Sequence, residues 1–168
     1  MAEWRALDEK GSEPVAHGMA GGPLFDPESG LASDSLIRFI VSQRIDAARE
    51  RCDELWVAVL SVRAGGESPA TIGQLLGDAL DDADAIGRLV DGRYLALFDQ
   101  RQERAVLAAT THLRSLAEER LPGTVLHAGV ASYPRHGFNL DEVLIAAATA
   151  LAEAQSWPIH RVEVAPAP

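Results

Sequence analysis

Apolar residues along this chain switch between two spacings, and the switches mark the elements. Leu36, Ile37, Ile40, Val41, Ile45 and Ala48 recur at helical spacing behind Ser33 and Asp34, either of which can cap a helix. Leu55 to Val62 is an almost continuous apolar run with β-branched members, the pattern of a buried strand. Gly65 and Gly66 break it. Ser68-Pro69 then reads as a cap followed by a first-turn proline, and Ile72, Leu75, Leu76 and Leu80 give the helix its apolar face. Ala85 to Val90 and Arg93 to Phe98 flank Asp91-Gly92, which predicts a hairpin closed by a type I′ turn. A helix is expected over Gln102 to Glu119, with Val106, Ala109, Leu113 and Leu116 inward and Leu121-Pro122-Gly123 ending it. Val125 to Ser132 reads as a strand, Leu140 to Gln155 as an alanine-rich helix and Ile159 to Val164 as an edge strand.

The predicted order is α-β-α-β-β-α-β-α-β. Strands interleaved with helices imply an α/β (α+β) fold in which helices flank a central mixed sheet. Residues 1–24 lack a sustained apolar period and are rich in Gly and Pro, so they are expected to be a flexible tail ahead of a domain over 25–165. Within that tail Trp4 and Leu7 could form a short amphipathic turn that docks on a partner.

Composition narrows the function classes. The chain has 168 residues, 47% of them hydrophobic, enough for one domain with a real core. Its 15 basic and 25 acidic residues give a net charge of −10. That balance argues against nucleic acid or an anionic membrane as partner, since both need clustered Lys and Arg. Cys52 is the single cysteine, which excludes an intramolecular disulfide. No apolar run approaches the roughly 20 residues that cross a bilayer, and the first residues hold no apolar signal core. A soluble cytoplasmic protein is expected.

Three segments then carry a resemblance. Asp26-Pro27-Glu28-Ser29-Gly30-Leu31 is similar to an Asp-x-Leu-Thr-Gly-Leu motif. Arg88-Leu89-Val90-Asp91-Gly92-Arg93-Tyr94 sits where that family has Arg-Tyr-Gly-Gly-Asp-Glu-Phe. His127 to Pro134 is similar to its Ser-Ile-Gly-Val-Ala-x-Tyr-Pro strand. In this order and spacing the chain resembles the GGDEF domain of diguanylate cyclases, with the signature degenerate. The resemblance implies a ferredoxin-like, palm-type core. In the family, two subunits each hold one GTP with divalent metals and join them into cyclic di-GMP. Such metals need oxygen ligands, chiefly carboxylates.

Carried over residue by residue, the resemblance implies that the chemistry is missing. The first-strand carboxylate position falls on Ser61, close to Arg63. The signature becomes Val90, Asp91, Gly92, Arg93 and Tyr94, so the metal-binding acid is Gly92 and the following Glu is Arg93. The connection between Arg63 and Ser68 is too short for the family's guanine-binding segment. The phosphate-contacting Lys and Arg align with Gln155 and Ile159. The product-inhibition motif Arg-x-x-Asp aligns with Asp81 and Asp84, retaining the acid and losing the cation. No catalytic residue, metal site or cofactor is expected, and GTP and cyclic di-GMP binding are not expected.

The remaining polar features have two readings each. Asp78, Asp81, Asp82 and Asp84 are either a solvated helix end or, on the sharper reading, a cation site or a docking patch for a basic partner. Asp78 and Asp82 would repel at i,i+4 spacing, and carboxylates there would oppose the helix dipole. Arg88 and Arg93 can pair across strands with acids. The five histidines show no ligand spacing. Ser61 has no visible base to make it a nucleophile. Cys52, near a helix end, is either reactive or incidental. Trp56 and Trp157 are expected to pack, and Trp157 could also serve an interface, as could Asp78, Asp82 and Arg88. The leading expectation is an inactive GGDEF-like module that binds a protein partner or a second copy in bacterial signalling. A ligand sensor using a remodelled cleft is the rival, with Arg63, Arg88 and Arg93 supplying charge. An enzyme of altered chemistry stands third, lacking a visible acid–base pair.

Overall fold

In the computed structural model, residues 23–63 and 65–166 are described; the expected docking turn at Trp4 and Leu7 lies outside them. The elements are α1 (Asp34–Arg51), β1 (Leu55–Arg63), α2 (Pro69–Ala79), β2 (Ala85–Arg88), β3 (Tyr94–Asp99), α3 (Glu103–Arg120), β4 (Val125–Tyr133), α4 (Leu140–Gln155) and β5 (Arg161–Val164). They form one five-stranded sheet of order β2-β3-β1-β4-β5, antiparallel except for the parallel β4–β5 pair. The expected mixed sheet flanked by helices is therefore present. Its β1-α2-β2-β3-α3-β4 segment has the split βαβ connectivity of ferredoxin-like folds. Among the described residues no helix is long and apolar enough to cross a membrane.

The continuous apolar run of β1 has a simple cause. Alternate side chains leave opposite faces of a strand, and both faces of this one are covered. Leu55, Val57 and Val59 join Ile37, Val41, Ile45, Val143 and Leu151 under α1 and α4. Trp56, Ala58 and Leu60 join Ile72, Leu76, Val106 and Leu113 under α2 and α3. Packing is closest at Gly129 on β4. A Cβ there would lie 2.0 Å from the Ala147 carbonyl oxygen and 2.3 Å from the Leu151 nitrogen, so α4 can approach only a glycine.

The helix starts follow the caps in the sequence. Ser33 accepts from the Leu36 amide, Ser68 from the Thr71 amide and Asn139 from the Glu142 amide. The end of α1 places Cys52 in the left-handed region at φ 57, exposed, with its amide donating to the Ala48 and Arg49 carbonyls.

Two local expectations are corrected. The hairpin does not turn on Asp91-Gly92 as a type I′ pair, which needs positive φ at both residues. Of the two only Gly92 has it, at +85°. The Gly92 amide donates to the Leu89 carbonyl (3.0 Å) and the Leu89 amide to the Arg93 carbonyl (2.8 Å). Val90 and Asp91 are thus the turn's centre, and Gly92 supplies the left-handed step after it. Leu89 is buried at the base, which explains the extra residue in the loop. The acidic run is not one helix face either. Helix α2 ends at Ala79, with Leu80 buried as its cap, so Asp78 and Asp82 are not i,i+4 neighbours on a helix.

Gly129→Ala is expected to cost about 2–3 kcal/mol in urea unfolding, by overpacking. Gly92→Ala, with nothing within 4 Å but a positive φ, is expected to cost only about 1 kcal/mol.

Candidate functional site

The β1–β3 register pairs Leu60 with Tyr94. Ser61, one residue past that pair, and Gly92, two residues before it, therefore sit at the same end of the sheet. The sequence-predicted first-strand and signature positions are brought together there. Ser61 is half-buried and pairs in register with His127 of β4, while Arg63 is exposed and pairs with Val125. Arg63 makes no ion pair among the described residues. Val90 is 89% exposed at the hairpin tip.

Arg93 curls back onto its own turn. Its Nε and Nη2 donate to Asp91 Oδ2 (2.8 and 2.5 Å), and its amide donates to Asp91 Oδ1 (3.0 Å). The Arg93 side-chain bonds, with the amide bond behind them, hold the Asp91 carboxyl below the usual carboxylate range. The only acid of the signature turn is thus already committed to a neighbouring cation. Tyr94, buried at the base of β3, has its phenol pushed up by burial.

Arg88 makes a contact that the sequence did not suggest. Instead of pairing across strands, its Nη1 donates to Asp26 Oδ2 at 3.1 Å and also to the Glu28 carboxylate. Asp26 Oδ2 additionally accepts from the Ser29 amide (2.8 Å) and hydroxyl (2.6 Å). The Ser29 hydroxyl is the main cause of a lowered Asp26 pKa, with Arg88 adding to it, while the Glu28 carboxylate is the main cause of the raised Arg88 value. Two motifs about 60 residues apart are thereby tied into one corner. Backbone bonds reinforce it: the Ala32 amide donates to the Ile86 carbonyl and the Arg88 amide to the Ala32 carbonyl. The signal available in the sequence was the Asp-x-x-Ser spacing, which favours a local carboxylate–hydroxyl turn.

The other candidates lie elsewhere. Asp78 pairs with Arg120 at 2.6 Å and Asp82 loosely with Arg101 at 4.0 Å. Asp84 Oδ2 accepts from the Asp99 amide at 2.7 Å, fixing the start of the hairpin. Asp81 lines a 610 Å³ groove between the end of α2 and the start of α3, together with Asp82, Arg104 and His112. This groove is remote from the Ser61–Gly92 end. Trp56 is buried as expected; Trp157 is 47% exposed beneath the Arg161 guanidinium, 4.3 Å from its ring centre. Next to it, His127 Nε2 meets the Trp157 carbonyl at 3.0 Å, and His160 Nδ1 accepts from the Leu126 amide at 3.0 Å. The loop after β4 is closed rather than free: the His136 amide donates to the Ser132 carbonyl, and His136 Nδ1 accepts from the Ser132 amide. Among the described residues no three His, Cys, Asp or Glu side chains gather as a metal would require.

Comparison with solved structures identifies the architecture. The GGDEF domain of YfiN from Pseudomonas aeruginosa superposes with a TM-score of 0.74 at 19% identity, covering 84% of this chain and 94% of that one. The GGDEF domain of DgcB from Caulobacter crescentus, in complex with c-di-GMP, gives 0.74 at 15% identity, covering 88% and 99%. The diguanylate cyclase SiaD of Pseudomonas aeruginosa, in complex with its activator SiaC, gives 0.74 at 17% identity, covering 84% and 62%. No family model and no curated protein matches the chain. The fold is that of GGDEF domains, as the resemblance implied.

Removing the charge of the shared acceptor in Asp26→Asn is expected to cost about 1–2 kcal/mol at neutral pH, the scale of hydrogen bonds to a charged group. Because the Asp26 pKa is lowered by folding, its contribution is complete above the ordinary carboxylate range and is lost as pH falls through the depressed value. The gap between wild type and variant in urea melts should close on acidification.

His160 works in the same direction by a different route. Burial lowers its pKa, so the unfolded chain binds the proton more readily. Stability is expected to fall as pH drops below the ordinary histidine value, until the folded value is passed. In His160→Gln that step should be absent from the pH profile of the melting temperature.

Proposed function

We propose that this chain is a catalytically silent GGDEF-like domain that works through its surface, as a protein-interaction and regulatory module in bacterial cytoplasmic signalling. The observation that carries the reading is the charge at the sheet end where β1 meets the hairpin. The positions at which the resemblance places metal carboxylates hold Ser61 and Gly92, and the next signature position holds Arg93. The acid nearest to them in the turn, Asp91, is taken up by Arg93. Magnesium needs carboxylate or phosphate oxygens, and a fixed guanidinium raises the cost of bringing a cation close. Without the metals neither the attacking hydroxyl nor the triphosphate is activated. The complex of SiaD with its activator supports the second half of the reading, since a GGDEF-fold protein there docks a protein partner.

A sensor of a nucleotide or other small ligand in the remodelled cleft is the rival reading. It is favoured by Arg63, which is exposed at this end with no ion pair among the described residues. The two readings separate in one set of measurements. With Mg²⁺ or Mn²⁺ and GTP, no cyclic dinucleotide is expected by chromatography. Thermal shift and calorimetry with GTP, ATP and cyclic di-GMP are expected to show no binding. Turnover would overturn the proposal. A shift that disappears in Arg63→Ala without turnover would transfer the case to the sensor.

A further inference from the structure

Between α4 and β5 we infer a pH-operated latch: neutral His160 ties this connection to β4, and protonation turns the imidazole toward Glu118 and frees the connection ahead of β5. Such a latch requires neither catalysis nor its absence, so it is separate from the proposed inactivity.

The tie is a side chain doing the work of a strand. Strand β5 is the short outer strand of the sheet, paired in parallel with β4 from His127–Arg161 to Val130–Val164. His160, the residue before it, does not extend the ladder. Its Nδ1 instead accepts from the Leu126 amide at 3.0 Å. A nitrogen that accepts carries no proton, so the ring is neutral with its proton on Nε2. Protonation adds an N–H at Nδ1, facing the Leu126 N–H at hydrogen-bond distance. Two donors cannot share that contact, so the tie and the imidazolium exclude one another.

A destination for the charged ring lies beside it. Nε2 is 3.7 Å from Glu118 Oε1 on α3, and the same oxygen is 3.7 Å from Arg114 Nε. Both separations are too long for hydrogen bonds, so the carboxylate is committed to neither group. A recess of about 270 Å³ between α3 and β5, lined by Thr111, Arg114, Leu126, His160, Arg161 and Val162, gives the ring room to turn. The far end of the connection stays anchored. His127 Nε2 donates to the Trp157 carbonyl at 3.0 Å, a bond that protonation keeps. The stretch released is thus residues 158–160, in which Ile159 is 64% exposed.

Each element packed on the ring brings a charged or titratable group. Arg114 and Glu118 come from α3, His127 from β4, and Arg161 from β5, where Glu163 holds its Nε. Burial is the largest influence and disfavours the imidazolium; Glu118 favours it, and Arg114 and His127 oppose it. The latched ring therefore protonates below the ordinary histidine value, to which the released, solvated ring returns. Release grows as pH falls below that ordinary value and levels off once the latched value is passed.

Amide hydrogen exchange of the full chain, followed by NMR from about pH 8 to about pH 5, spans the histidine range and tests the latch. Protection of the Leu126 amide is expected to fall by up to about tenfold per pH unit below the ordinary histidine value, in step with the His160 ring signals. The amides of Val57 and Leu95, at the centre of the sheet, are expected to keep theirs. His160→Gln retains an acceptor that does not titrate, so protection at Leu126 should stay flat with pH. Glu118→Gln removes the charge that receives the imidazolium, so the loss should move to lower pH. Protection at Leu126 that ignores the His160 titration, or falls together with Val57 and Leu95, would overturn the latch. So would a loss in Glu118→Gln at the same pH as in wild type.

Discussion

The two-sided burial of β1 is the constraint on which the rest hangs. Leu55 to Leu60 are buried without interruption, alternating between two clusters on opposite faces of the sheet. A slip of one residue would exchange every side chain between those clusters. The register with β3 and β4 is therefore set by packing on both sides at once. Fixing a side chain of Leu or Val size in such a core contributes about 1.5–3 kcal/mol, so the register has a wide margin over its alternatives. The positions at the far end of the strand follow from that register. Ser61 and Arg63 reach the hairpin end of the sheet because the six residues before them permit no other placement.

The same physics explains what could be read from the sequence. Periodicity reports burial, and burial is what organises β1, α1 and α4. Capping is local chemistry, so Ser33, Ser68 and Asn139 announce helix starts within a few residues. The hairpin was visible as an element and misread in its turn. Asp-Gly satisfies a type I′ pair, but the burial of Leu89 decided the loop length, and that depends on the α1 face of the sheet rather than on the dipeptide. The Arg88 tie to Asp26 and Glu28 was invisible for a further reason. Spacing in sequence carries no information about partners 60 residues apart. At the candidate site the residue types could be read, but not their engagements: the pairing of Arg93 with Asp91 depends on a turn geometry that had been assigned differently.

Charge at the sheet end deserves to be weighed against charge overall. A chain with ten more acids than bases could be expected to present carboxylates wherever a metal might use them. Instead three of the acids near this end are spent. Asp91 holds Arg93, while Asp26 and Glu28 hold Arg88. Each pair removes one carboxylate from the pool available to a cation and stiffens the corner between the hairpin and the segment before α1. Arg63, of the opposite sign, makes no ion pair among the described residues, and neither does Glu67 in the same connection.

Fold and chemistry also separate here along a physical line. Ser61 is half-buried, Gly92 and Arg63 are exposed, and none belongs to either core cluster. Changing such positions leaves the packing of β1, Gly129 and α4 untouched, so the architecture can persist without the carboxylates its chemistry would demand. The outer face of α1 and α4 has the reverse logic. Phe39 and Ile145, both exposed, contribute little to the core that folds the chain, yet their contact with water has a cost. At the sheet end the scaffold is thus kept without those carboxylates, which under the proposed reading leaves the surface as the working part.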